Sequence, residues 1–231
     1  TQRVLQRRME ITANNLANMT TSGFKADMLI TDDVSRQPAA SADEPRDIRF
    51  VRDITVGRDM RQGAISLTGE AFDVALDGEG FFMVMGPAGV SYTRNGAFTM
   101  SGEGALVTGD GYPVLDSGGA PIVLDPQGGP PAIGHDGAVT VGGNEVGRIG
   151  VAAFARPGAL ERAGDSLWLA NGQAPGEFTG RVIQGALESS NVSPVSEITR
   201  MIEISRAYEN AARIVSNADQ TRQRALERLA R

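Results

Sequence analysis

The sequence predicts an α+β protein in which N- and C-terminal helices form a coiled-coil-like pair and an all-β, hairpin-rich domain is inserted between them. Three observations predict it. From Met201 the residues Met201, Ile204, Tyr208, Ala211, Val215, Ala218, Ala225 and Leu229 recur at steps of three and four, interrupted only where Arg222 stands in the series, which is the spacing of one helix face. The same rhythm runs near the other end through Leu5, Met9, Thr12, Leu16 and Met19. Between them, short apolar stretches alternate with turns rich in Gly, Asn and Asp, the pattern of strands joined by hairpins.

Taken in order, residues 1–25 read as the first helix and its stop. Arg3, Arg7 and Glu10 occupy the face opposite the apolar stripe, and Asn14, Asn15 and Asn18 crowd the last turns. Asn is poor helix chemistry, because its amide competes for backbone hydrogen bonds. The amides therefore mark either a fraying end or contacts with a neighbouring helix. Thr20, Thr21, Ser22 and Gly23 end the helix, with Gly23 as a left-handed C-cap. Residues 26–71, with Pro38, Pro45 and the polar run 39–44, lack a sustained period and read as an extended connector carrying short strands near 48–51 and 64–67.

Residues 72–182 read as the all-β domain. Phe72, Val74 and Leu76 alternate, Asp77-Gly78-Glu79-Gly80 turns the chain, and residues 81–85 form a nearly continuous apolar strand. Asn95-Gly96 between 92–94 and 97–100 is the strongest short hairpin signal, and Gly109-Asp110-Gly111 divides 105–108 from 112–115 in the same way. Further strands are expected at 122–124, 138–141, 148–154 and 166–169, with Trp168 as a core anchor. Residues 183–192 bring the chain back. The second helix follows over 193–231, with Ser193 as N-cap and Pro194 at the first helical position, where its missing N–H costs nothing. No Gly or Pro interrupts it, so it can run about 55–60 Å at 1.5 Å per residue.

Composition narrows the function. Aromatics are 5% of the chain while Gly numbers 29, favouring turns and short strands over a dense enzyme-like core. There is no Cys, so disulfides and thiolate metal sites are excluded. The net charge of -6 argues against nucleic acid as a partner. No apolar run approaches the roughly 20 residues of a membrane span, so membrane insertion is not expected, and no charged-then-apolar leader opens the chain. Lys25 is the sole lysine among many arginines, which reads as compositional bias.

Catalytic patterns are weak. His135 is the only histidine and sits in a turn-like Gly134-His135-Asp136-Gly137 without a nucleophile elbow. The acidic turns lack the ligand rhythm of calcium loops. Asp73 with Asp77 or Glu79 could be proposed as a glycosidase pair, but no pocket supports it. Gly78 and Gly80 precede a strand and so form no phosphate cradle. No catalytic residue, metal ligand or cofactor is assigned.

A family resemblance does emerge. Ala13-Asn14-Asn15-Leu16-Ala17-Asn18, followed by Thr21-Ser22-Gly23-Phe24-Lys25, resembles the N-terminal signature of bacterial flagellar rod and hook proteins. The likeness continues through 72–82 (FDVALDGEGFF), 92–98 (YTRNGAF), 104–114 (GALVTGDGYPV), 185–192 (GALESSNV) and 201–209 (MIEISRAYE). Val51-Arg52-Asp53 and Asn191-Val192-Ser193-Pro194 lean toward the proximal-rod branch, with the distal-rod branch as the alternative. Glu70-Ala71 departs from the Asn-Pro more usual in the family.

The resemblance implies a non-enzymatic subunit of the basal-body rod, which crosses the periplasm and transmits torque to the hook. It implies passage through the flagellar type III export apparatus without a cleaved signal peptide. Its implied partners are other rod proteins and copies of itself. The assembly interface is then expected at Leu5, Met9, Thr12, Asn14, Asn15, Leu16 and Asn18 on the first helix. On the second it is expected at Met201, Ile204, Tyr208, Ala211, Val215 and Ala218. The competing classes are a secreted β-domain enzyme or glycan-binding module on a helical oligomerisation stalk, and a trimeric fibre with a coiled-coil stem.

Overall fold

A computed structural model describes residues 2–35, 49–164 and 166–229. The chain opens with α1 (Gln2–Ala17), β1 (Asp27–Ser35), β2 (Arg49–Arg58), β3 (Ile65–Leu67), β4 (Val74–Asp77), β5 (Phe81–Gly86), β6 (Gly89–Thr93), β7 (Phe98–Met100) and β8 (Leu106–Thr108). It continues with β9 (Ala132–Ile133), β10 (Ala138–Val141), β11 (Asn144–Arg148), β12 (Val151–Ala153), β13 (Glu161–Gly164), β14 (Leu167–Leu169), β15 (Gly176–Glu177), β16 (Arg181–Gln184), β17 (Ala186–Glu188) and α2 (Pro194–Leu229). The class is α+β, and the strand ladders of the described residues are antiparallel. Packing separates two units: α1, β1, β2 and α2 form a helical unit, and Asn18–Ala26 with Asp59–Val192 form a β unit.

In the helical unit α1 packs against α2 and β1. The buried residues of α1 are Ile11, Thr12 and Asn15, while Leu5, Met9 and Leu16 are half-buried and Met19 is exposed. At 100° per residue this buried face is turned roughly 70° from the stripe read in the sequence. The displacement has a cause: Asn15 enters the interior because its amide is fully used there, and Ile11, one turn earlier, goes in with it. The helix ends at Ala17, so Gly23 is not its C-cap.

β1 and β2 pair from Asp27↔Arg58 to Ser35↔Arg49, with a bulge between Asp32 and Asp33. This long ladder runs through a region that lacks sustained alternation, because acidic pairs break the apolar series. Pro38, Pro45, the run 39–44 and Ile48 lie outside the described residues, as does Thr1. α2 begins at Pro194 as its start signal predicts. At 36 residues it outruns the 16 residues of α1 by about 30 Å.

The β unit centres on a six-stranded sheet in the order β13-β14-β6-β5-β12-β15. β5 explains the continuous apolar run in its sequence. Phe82 and Val84 point into one core with Val74, Leu76, Phe98, Leu106, Val114 and Val139. Phe81 points into a second with Tyr92, Phe154, Leu160 and Trp168. A strand covered on both faces has no polar side to alternate. Edge-to-face contacts order the rings: Phe82 lies 5.1 Å from Phe98 and Tyr92 lies 4.8 Å from Phe154.

Two turn readings are corrected. Asn95-Gly96 does not close a hairpin, since β6 pairs with β5 and β14 while β7 pairs with β8. A two-residue type I′ hairpin needs positive φ at both residues, and neither residue has it. Gly96 is required instead for close approach: a Cβ there would lie 1.7 Å from the Val74 carbonyl oxygen. The turn at 77–80 likewise joins strands that do not pair, because β4 pairs with β16. A hairpin not read in the sequence joins β10 to β11 across Gly142-Gly143, both at positive φ.

Candidate functional site

The expected assembly residues differ in burial. Met201, Ile204 and Ala211 are half-buried on α2, and Tyr208 keeps 40% of its surface exposed. Thr12 and Asn15 are buried, and Leu5, Met9, Asn14, Leu16 and Asn18 are half-buried. The side chains of Val215, Ala218 and the seam beyond them lie outside the described residues.

Asn15 does its hydrogen bonding inside the helical unit. Its amide donates to the Asp27 backbone oxygen at 2.8 Å, and its carbonyl accepts from the Asp27 N–H at 2.9 Å. This two-way bond ties α1 to the first residue of β1. The same amide reaches Glu197 Oε2 at 3.4 Å, and Glu197 pairs with Arg200 in the first turns of α2. Asn14 donates to Asp27 Oδ2 at 3.0 Å. A carboxylate in the first turn of α2 also favours the helix dipole. Beside these groups lies a cleft of about 340 Å³ lined by Ile11, Thr12, Leu29, Glu197 and Ile204 among others. Its lining mixes apolar and charged side chains. The crowded asparagines are therefore neither frayed nor idle: two of the three fasten one element to another. Asn18, past the helix end, accepts from the Thr21 hydroxyl at 3.2 Å.

The β unit holds a second polar constellation that sequence reasoning missed. Lys25, Arg94 and Glu188 are 1%, 3% and 1% exposed. Lys25 Nζ donates to Glu188 Oε1 at 2.6 Å and to the Arg61 backbone oxygen at 2.8 Å. Arg94 Nη1 lies 3.3 Å from Glu188 Oε2, and its Nη2 donates to the Gly78 oxygen at 2.6 Å. The Gly63 N–H adds a bond to Glu188 Oε1 at 3.0 Å. Burial pushes the Lys25 ammonium below its usual pKa, against the pull of Glu188. Burial lowers Arg94 as well, with Glu188 and Glu79 opposing.

Asn191 completes the arrangement. Its carbonyl accepts from the Ala26 N–H at 2.8 Å, and its amide donates to the backbone oxygens of Asp59 at 2.8 Å and Arg61 at 3.0 Å. Asp59 N–H donates to the Ala26 oxygen at 2.9 Å, and Gly23 N–H to the Glu188 oxygen at 2.7 Å. Residues 23–26, 59–63 and 188–191 are thus laced together. The one available signal was Lys25 itself, a lone lysine in an arginine-rich chain. A compact ammonium with three donors fits the position between Glu188 Oε1 and the Arg61 backbone oxygen.

The remaining polar candidates have structural engagements. Asp77 pairs with Arg181 at 2.9 Å on the surface. The His135 ring Nδ1 lies 3.1 Å from the Val182 carbonyl oxygen. No group of three His, Cys, Asp or Glu among the described residues could hold a metal ion. No helix among them is long and apolar enough to cross a membrane.

Residues 2–25 match the family "Flagella basal body rod protein", residues 75–141 "Flagellar hook protein FlgE/F/G D1 domain", and residues 183–228 "Flagellar basal body rod FlgEFG protein C-terminal". The flagellar basal-body rod protein FlgF of Caulobacter vibrioides is 42% identical over 230 residues, covering 99% of this chain and 94% of the relative. The chain belongs to the flagellar basal-body rod protein family. FlgF of Mesorhizobium japonicum is 36% identical over 232 residues, covering 99% of this chain and 94% of the relative. FlgG of Caulobacter vibrioides is 35% identical over 242 residues, covering 93% and 91%.

As a member of the rod family the chain is a structural subunit of the flagellar basal body. The three family segments meet in the buried constellation. Lys25 comes from the first, Arg94 from the second, and Glu188 with Asn191 from the third. The rod-family blocks that are far apart in sequence are therefore joined by buried ion pairs inside the β unit.

Proposed function

We propose that the chain is a non-enzymatic subunit of the proximal rod, which joins other rod proteins and copies of itself through its terminal helices. The observation that carries this reading is the surface of α2. Val195, Ile198 and Ile202 are 76%, 47% and 49% exposed, and Ile214 is 69% exposed. Val195, Ile198 and Ile202 fall at i, i+3 and i+7, on one face. That face is distinct from the half-buried Met201, Ile204 and Ala211. A helix that outruns its partner and carries a second apolar face is built to be covered by further chains. In this reading α1 and α2 form a coiled-coil-like pair, and the assembly positions are Leu5, Met9, Thr12, Asn14, Asn15, Leu16, Asn18, Met201, Ile204, Tyr208, Ala211, Val215 and Ala218. The higher identity to FlgF than to FlgG of the same organism supports the proximal branch. The rod would cross the periplasm, receive the subunit through the type III export apparatus without a cleaved signal peptide, and transmit torque to the hook.

Tyr208→Asp and Val215→Asp test the helix seam. Each places a carboxylate where a partner must bury it, at a cost of several kcal/mol. The expected result is an intact β unit, read from the fluorescence of buried Trp168, with loss of incorporation into basal bodies. Motile cells carrying a normal rod built from either variant would exclude this interface.

A further inference from the structure

The buried charges of the β unit are unequal in number and in place. Lys25 and Arg94 are two cations, and among the described residues Glu188 is the one buried carboxylate of that unit. Lys25 lies 163 positions before Glu188 in the chain. Asp59 and Glu79 act on Lys25 and Arg94 as supporting charges, yet neither is buried. The chain before Glu188 therefore supplies both cations and the residues of both apolar cores, but not the buried anion. Bringing two cations into an apolar interior without it is strongly unfavourable.

We propose that Lys25, Arg94 and Glu188 form a folding latch, in which two cations keep the β unit from completing its core until the return segment brings Glu188 between them. The geometry fits a closing step. Glu188 Oε1 accepts from both Lys25 Nζ and the Gly63 N–H, Oε2 faces Arg94, and the Glu188 backbone oxygen takes the Gly23 N–H. One residue thus engages four chain positions at once. Next to it Asn191 bonds Ala26, Asp59 and Arg61, so the same step also fastens these passages. A chain made from residue 1 onward stays open in this unit until its last strand, β17, is available. Completion of the fold is conditional on completion of the sequence to that strand.

The charge arithmetic makes the latch testable on the full chain, with Trp168 as the reporter of core formation. The native group carries one positive charge in excess. Glu188→Gln keeps the acceptor for Gly63 but leaves two, Lys25→Met leaves none, and the double variant restores one. Stopped-flow refolding is expected to slow at least about tenfold in Glu188→Gln, or to stop short of native Trp168 burial. Lys25→Met should refold as fast as the native chain or faster. Adding Lys25→Met to Glu188→Gln should return refolding to within about tenfold of native. That rescue separates a charge latch from a packing role, because removing a second buried side chain from a merely packed site only adds damage. Refolding of Glu188→Gln at the native rate, or failure of Lys25→Met to rescue it, overturns the proposal.

Discussion

At Gly23 two separate constraints coincide. Its φ is +69°, and a Cβ there would lie 2.4 Å from the carbonyl carbon of Arg94. The first constraint disfavours any L side chain, and the second forbids one unless backbone moves. Gly23→Ala is expected to destabilise the protein by more than about 2 kcal/mol in urea titrations. Lys25, two residues on, carries a pH signature. Because its folded pKa is lowered from 10.5, the unfolded chain binds more protons in the window just below 10.5. Its contribution to stability is therefore fully favourable only above 10.5, and falls as pH drops through the folded value. Urea midpoints followed across that alkaline window should show this rise in the native chain and lack it in Lys25→Met.

At the scale of elements, α1 shows how a correct period can carry a wrong phase. The three-and-four spacing did identify a helix, but the buried face holds Ile11 and Asn15 in place of the centre of the predicted stripe. Periodicity weighs apolar side chains and counts a polar amide as an outward residue. Asn15 reverses that weighting, since the Asp27 N–H and carbonyl complete its hydrogen bonds. Asn15→Leu should remove those two hydrogen bonds, at about 1–3 kcal/mol. The expected readout is faster hydrogen exchange in α1 and β1, with exchange in the six-stranded sheet unchanged. The Asn95-Gly96 signal erred for a related reason. Dipeptide preference describes a local turn, whereas Gly96 answers to the Val74 carbonyl from a strand distant in sequence.

At the scale of the whole molecule, the two units should differ in how far they stand alone. The β unit has two apolar cores and a closed polar group. The helical unit rests on α1, α2 and one two-stranded ladder, with small residues in the α2 seam, and an isolated helix pair of that kind is marginal. In a demonstrated dilute monomer, residues 1–19 and 193–231 are expected to exchange amide hydrogens far faster than the six-stranded sheet, and to gain protection on assembly. Protection equal to that of the sheet in the monomer would contradict a helical unit that depends on neighbours.

The class, the two terminal helices, the start of α2 at Pro194, the placement of Trp168 in a core, and the family blocks in their order can all be read along the chain. These are legible because period, cap residues and motif order are properties of neighbouring positions. It takes the folded chain to show that Lys25, Arg94 and Glu188 form one buried group, that Asn15 belongs to the interior, and that Asn95-Gly96 is a corner between sheets. Each of those outcomes depends on partners far along the chain. A polar side chain looks solvent-directed in a local window until the structure supplies the donor or the opposite charge that permits its burial.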